Sequence, residues 1–438
     1  MFSTANGMIE TDHNELRKRP LARPLFLWIA GILCEVCFPL QLWSVVLLAP
    51  AIVALAYSLG SGAKVPEIQI GGVRLSEIAI VCLIVFLAIQ WTALAERRLD
   101  DPVRTGDTPE WRRAAQVVQR RVVERFGTLR LSDDEHAVLA SITVNERSTM
   151  TRDLRRRFSA AGVAHLLAVS GFHVALVCGA LALLLSRLPR TTPFRLLRSG
   201  LMILAAWSYA MVSGLSAPSV RAATMLTIYL VGVALRRWPE RYNTLAATAL
   251  LMLLCDPFSL FDVGFLLSFS AVFFILLLAP RIAGLFEVER RWIAIPWRVV
   301  AVSLAAQIGT FPLCCYYFGR VSLVFLFANL FLSFAATLLI PVALVWVALP
   351  AETPGLFVLQ VAVEQLTHII VVVVDRFSSL PWASVAVHFD LVWLIGSYAL
   401  FCFAFHALIR RSSRSLLVVL GIVLTLIIHA LMKKYLGF

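Results

Sequence analysis

Apolar runs long enough to cross a bilayer recur along the whole chain, separated by short polar segments. A spanning helix needs about 20 predominantly apolar residues. Runs of this kind stand at roughly 25–41, 42–60, 74–95, 162–185, 196–213, 219–235, 243–256, 260–279, 299–318, 322–348, 356–375, 390–409 and 414–432. The pattern predicts an all-α, polytopic helical membrane protein with about 13 transmembrane helices. A transmembrane barrel would alternate apolar and polar residues in segments of about ten, and the chain shows no such alternation. One interval breaks the rhythm: residues 96–161 are polar. The expected organisation is a three-span segment over 1–95, a polar helical region over 96–161 and a second bundle over 162–438.

Positive charge fixes an orientation, because cytoplasmic loops of membrane proteins retain Lys and Arg. With the N-terminus inside, the inner segments hold 20 Lys and Arg. The short outer ones hold only Arg221, Arg320, Arg376, Lys433 and Lys434. The expected topology is therefore N-in/C-out, with 96–161 extracytoplasmic. Composition agrees with the class: of 438 residues 60% are hydrophobic and 15% charged, with a mean hydropathy of +0.84. A soluble domain is nearer half apolar and a quarter charged. The net charge of +13 has two readings, the positive-inside bias or a nucleic-acid partner. No cleavable signal peptide is expected, since the polar start ends in Arg17, Lys18, Arg19 and Arg23 without an A-x-A site. Cys34 and Cys37 form a CxxC inside a span, with no second pair at zinc-ribbon spacing, and are expected to pack.

The extracytoplasmic stretch reads as amphipathic helices. WRRAAQVVQRRVVERFGTL carries apolar residues at helical spacing with Arg112, Arg113, Arg120 and Arg121 between them. SDDEHAVLASIT opens with helix-start chemistry at Ser132. TRDLRRRFSAAG follows, bearing Arg152, Arg155, Arg156 and Arg157. Such helices lie at the headgroup level or attract a polyanion.

Polar residues inside the apolar runs carry the candidate chemistry, since each costs free energy in lipid. In HLLAVSGFHVALVCGALALLL, read as one helix, His165, Ser170 and His173 fall on one side beside Gly162. That face looks toward other helices or water. In VSGLSAPSVRAATMLTIYL, the residues Ser213, Gly214, Ser216, Pro218 and Ser219 interrupt a helix, so a broken or re-entrant helix is expected near 212–222. Pro218 suits a first helical turn. Broken helices at membrane depth are tolerated around cavities and mark transport paths. Arg221 follows, either in that path or reaching for the outer interface. CDPFSLFDVGFLLSFSAVFF holds Asp256 and Asp262, which can cap helix starts or pair with Arg221. Gln307, Asn329 and Glu364 are isolated polar groups of the kind that join helices.

Enzymatic chemistry finds no support. AVSGFH is similar to the serine half-helix of rhomboid-type intramembrane proteases, but Ala168 stands where those have glycine. A Ser170, His173 and Asp256 triad lacks a nucleophile elbow. The eight histidines form neither HxHxDH nor HExxH. No metal, cofactor or catalytic residue is expected, and the chain is read as not an enzyme.

Four stretches taken in order carry a resemblance: AGVAHLLAVSGFHVALV, SGLSAPSVRAATM, DPFSLFDVGFLLSFSAVFFILLLAPRI and AAQIGTFPLCCYYFGRVSLVFLFANLF. They resemble the competence domain of the ComEC/Rec2 family, over about residues 105–438. RPLFLWIAGIL resembles the N-terminal segment of that family. The resemblance implies a multi-pass channel in the bacterial cytoplasmic membrane that carries single-stranded DNA into the cytoplasm during natural transformation. Longer members carry an OB-like domain and a metallo-β-lactamase-like nuclease domain, for which this sequence shows no motif. The resemblance therefore implies a nuclease, an OB-fold protein and a helicase-type protein as separate partners. His165, Ser170, His173, Ser219, Arg221, Asp256 and Asp262 are the expected positions along the DNA path, with Arg221 meeting phosphates. Passing one negative charge per nucleotide through a low-dielectric slab demands a wet, cationic lining. The competing expectations are a transporter or flippase for another anionic solute, or a membrane subunit that anchors partners.

Overall fold

The computed structural model describes residues 20–38, 43–49, 69–70, 73–99, 109–189, 191–236, 239–286, 290–410 and 412–436. Fifteen α-helices occur among them: α1 (Ala22–Cys37), α2 (Leu75–Leu99), α3 (Glu110–Phe126), α4 (Asp133–Val144), α5 (Arg152–Ala160), α6 (Gly171–Leu185), α7 (Thr192–Val212), α8 (Ala217–Ala234), α9 (Arg241–Cys255), α10 (Val263–Ala283), α11 (Arg291–Tyr317), α12 (Phe325–Ala348), α13 (Leu356–Ser378), α14 (Leu391–Arg410) and α15 (Ser413–Leu436). Two short antiparallel pairs complete the secondary structure. The first joins β1 (Gln69–Ile70) to β2 (Val73–Arg74), and the second joins β3 (Arg320–Ser322) to β4 (Ser384–Ala386).

The expected all-α membrane architecture is present. Eight helices among the described residues are long and apolar enough to cross a membrane: α2, α8 and α10 to α15; α6 and α9 are apolar but shorter. The span expected at 42–60 lies largely outside the described residues.

Two compact units divide the chain. The first comprises Met1–Val122 and Ser170–Phe269, the second Val123–Val169 and Ser270–Phe438. In the first unit α1 packs on α2 and α9. Its core is Trp28, Ile32, Ala88, Ala249, Leu253 and Phe265, and the Leu21 amide donates to Asn243 Oδ1 at 2.9 Å. Helices α6, α7 and α8 pack against one another. In the second unit α12 and α13 form the central contact; α11 touches α12 and α14, and α14 touches α15.

The region expected as amphipathic surface helices is corrected in part. Ser132 caps α4 as expected: its backbone N–H donates to Glu135 Oε2 at 2.8 Å, and its hydroxyl accepts from the Glu135 amide. Yet all eight residues Ala137–Val144 of α4 are buried, so this helix is a core element of the second unit. The physical reason stands in its sequence, AVLASITV, which is apolar or small on every side. Helices α4 and α5 pack against α13, and α4 also against α12. Arg157 on α5 is held by three carboxylates: Asp134 (2.5 Å), Asp375 (2.7 Å) and Asp153 (3.0 Å).

At the start of α14, Asp390 accepts from His429 (2.8 Å), the Trp393 amide (3.1 Å) and Lys433 (3.2 Å). Partial burial pushes its carboxyl up, but those bonds outweigh burial and hold it at about 2. A depressed folded-state value stabilises the fold above the ordinary carboxylate range and loses that contribution as pH falls toward about 2. Asp390→Asn should therefore lower the thermal stability of the purified chain near neutral pH. The difference from wild type should narrow as the pH drops below about 4; a constant difference would count against this cluster.

Candidate functional site

Near 212–222, where a broken or re-entrant helix is expected, the first unit has instead a tight turn between two helices that pack side by side. Helix α7 stops at Val212, and α8 begins at Ala217 with Pro218 in its first turn. Gly214 (φ +67) and Leu215 (φ +53) both take left-handed backbone, which reverses the chain. The Leu215 amide donates to the Ala210 carbonyl at 2.7 Å. A Cβ on Gly214 would come within 2.5 Å of Gln119 Oε1, so only glycine lets the α3 glutamine approach this turn. Hydroxyls fill the break. Ser213 Oγ lies 3.0 Å from the Ala210 carbonyl and 2.9 Å from Ser219 Oγ. Ser219 Oγ also donates to the Ser216 carbonyl at 2.8 Å. Ser213 and Ser219 are buried, so these bonds stand in for water.

Arg221 follows on α8, and only 3% of it is exposed. Its Nη2 donates to the Gly264 carbonyl at 3.0 Å, and its Nε has no hydrogen-bond partner. Asp262 supplies the neighbouring negative charge while its Oδ1 accepts from the Gly264 amide at 2.7 Å, capping the start of α10. Asp256 does something else: it accepts from the Phe258 amide (3.1 Å) and Ser259 Oγ (2.8 Å), capping the 3-10 turn Pro257–Phe261. Of the two expected acids, Asp262 is thus the one drawn to Arg221.

The single helix expected over 162–185 is corrected. Gly162 sits at φ +78, Ala164–Leu167 form a 3-10 turn, Ala168 is extended, and α6 starts only at Gly171. Ser170 is its N-cap, with extended backbone at φ −121, ψ 176. A serine that caps a helix cannot also lie on its face, so His165, Ser170 and His173 do not form a stripe. His173 is fully buried. Its Nδ1 accepts from the Ser170 amide at 3.1 Å and lies 3.0 Å from Ser170 Oγ. Accepting from an N–H leaves Nδ1 unprotonated, which assigns the neutral tautomer with hydrogen on Nε2. Ser170 and His173 therefore form a capping box in the first unit. His165 belongs to the second unit, is exposed, and bonds Asn329. Asn329 Nδ2 donates to Ser303 Oγ at 2.7 Å, and Ser333 Oγ donates to Asn329 Oδ1 at 3.0 Å.

The family model described as Competence protein matches residues 142–411, well over half of the chain. This chain belongs to the competence protein family. It is 34% identical over 207 residues to ComE operon protein 3 of Bacillus subtilis (strain 168), covering 47% of this chain and 25% of that protein. It is 32% identical over 149 residues to Competence protein ComA of Neisseria gonorrhoeae, covering 32% of this chain and 21% of that one. The chain thus spans about a quarter of the length of these curated relatives. No solved structure matches it.

The competence match covers the capping box, the break, Arg221 and both aspartates. Gln119 and Gly264, which complete the surroundings of the break and of Arg221, were missed from the sequence. Gly214 was the one local signal for Gln119, because a left-handed glycine beside a helix break implies something packed closely over it. For Gly264 there was none, since its contribution is a backbone carbonyl. Among the described residues no three His, Cys, Asp or Glu side chains gather as a metal site.

Proposed function

We propose that this competence-family chain forms the membrane path for single-stranded DNA during uptake into the cytoplasm in natural transformation. The observation that carries the reading is the competence-family match over residues 142–411, which includes the tight turn between α7 and α8. The hydroxyl-filled turn and the buried Arg221 lie inside the matched region, and polar and ionisable groups within membrane bundles face other helices or a water-filled path. The path lies in the bacterial cytoplasmic membrane with the N-terminus inside and the C-terminus outside, on the strength of the lysine and arginine asymmetry. The chain contributes passage and not hydrolysis.

Within this reading Arg221 acts differently from a phosphate contact. An arginine with 3% exposure and a bond to the Gly264 carbonyl ties α8 to the start of α10. It fixes the shape of the break rather than touching the strand. Ser170 and His173 likewise set where α6 begins. His165, bonded to Asn329, ties the stretch before α6 to α12.

Deleting the gene should bring transformation to background while labelled DNA still reaches the periplasm. Undiminished transformation would overturn the reading. Loss of periplasmic DNA as well would move this chain to an earlier step.

A further inference from the structure

In the second unit, residues 125–165 run the whole length of α12. At one end Arg125 Nη1 donates to the Val347 carbonyl at 2.8 Å and its Nη2 to that of Leu349, both at the C-terminal end of α12. The guanidinium lies 5.3 Å over the Trp346 ring, with Phe126 stacked on the same indole. At the other end Gly162 sits so close to Ser322 and Phe325 that a Cβ would come within 2.6 Å of both, and His165 bonds Asn329. From Phe325 to Leu349 a helix rises about 36 Å, more than the roughly 30 Å of a bilayer core.

A polar row on α13 receives this segment. Glu364 Oε1 accepts from the Arg130 amide (2.9 Å), His368 pairs with Glu135 (2.7 Å), and Asp375 with Arg157 (2.7 Å). These three positions cover about 16 Å of helix rise. Both α12 and α13 have the length and apolarity to cross a membrane. The outward face of α12 is apolar throughout: Phe327, Phe331, Phe334, Leu338 and Val345 are exposed from one end to the other. Such a face is covered by lipid, not water.

We propose that residues 125–165 cross the membrane inside the second unit, alongside α12 and α13, instead of lying on the outer surface. Burial of Ala137–Val144 on α4 and the in-protein contacts of the Arg125, Glu135 and Arg157 side chains are what a charged segment needs at that depth. The crossing puts the C-terminal end of α3 level with Leu349. The crossing does not rest on the DNA-path reading.

The test is side-specific labelling of the full chain with a membrane-impermeant maleimide, applied to right-side-out and inverted vesicles. Thr128→Cys and Ser159→Cys probe the two ends of the segment. Glu352→Cys and Trp382→Cys mark the two ends of α13. Mapping modified peptides by mass keeps the native cysteines in place, and Arg130→Cys replaces Thr128→Cys if that variant does not accumulate. Thr128 and Glu352 should react from one side, Ser159 and Trp382 from the other. Thr128 and Ser159 reacting from the same side would overturn the proposal, whether or not transformation depends on the protein.

Discussion

Gly162→Ala should remove most of the folded protein from the membrane. Gly162 has φ +78, where any residue with a Cβ pays about 1–2 kcal/mol. Its Cβ would also meet Phe325 Cβ at 2.5 Å and Ser322 Cβ at 2.6 Å, and overpacking of this kind costs about 1–3 kcal/mol more. A combined loss of about 2–5 kcal/mol is a large part of the stability of a typical folded chain. Gly355 supplies the control. It has φ +83 at the start of α13, but nothing lies within 4 Å of its missing Cβ. Gly355→Ala should therefore cost the backbone strain alone. Membrane abundance and thermal unfolding in detergent measure both variants, and equal losses would mean that the approach of Gly162 to the start of α12 contributes nothing.

Arg221→Ala should lower abundance and transformation in parallel. Hydrogen bonds to charged groups contribute about 1.5–3 kcal/mol each, and the one from Arg221 to the Gly264 carbonyl is enclosed by protein. Asp262 is exposed and keeps its own cap to the Gly264 amide, so the variant leaves no buried, unpaired carboxylate behind. That holds the loss to moderate size. Arg221→Lys should recover part of both readouts, because an ammonium can reach the carbonyl and remain near Asp262 but lacks the planar fork. Measuring transformation per unit of membrane-inserted protein decides the matter. A fall in transformation at unchanged abundance would show that the guanidinium acts on the passing strand.

The sequence by itself determined the class, the family resemblance and the places where helices fail. Apolar runs of spanning length have few alternatives to helices, because a bilayer leaves backbone groups no partner except one another. Breaks were legible for the same reason: Gly214 and Pro218 act locally, through backbone conformation, and need no knowledge of neighbours. Ser132 was readable as a cap because a capping box closes within four residues. Tertiary structure alone decided what the polar side chains touch. A helical wheel drawn through 162–185 put His165, Ser170 and His173 on one face, since it could not show that Gly162 turns left-handed against Ser322 and Phe325, more than 150 residues away. The same limit hid the burial of α4, whose first turn pairs through Glu135 with His368, 233 residues away. It also hid the bond of Arg221, whose partner is a main-chain oxygen that every residue carries, so that only folding selects the one at Gly264.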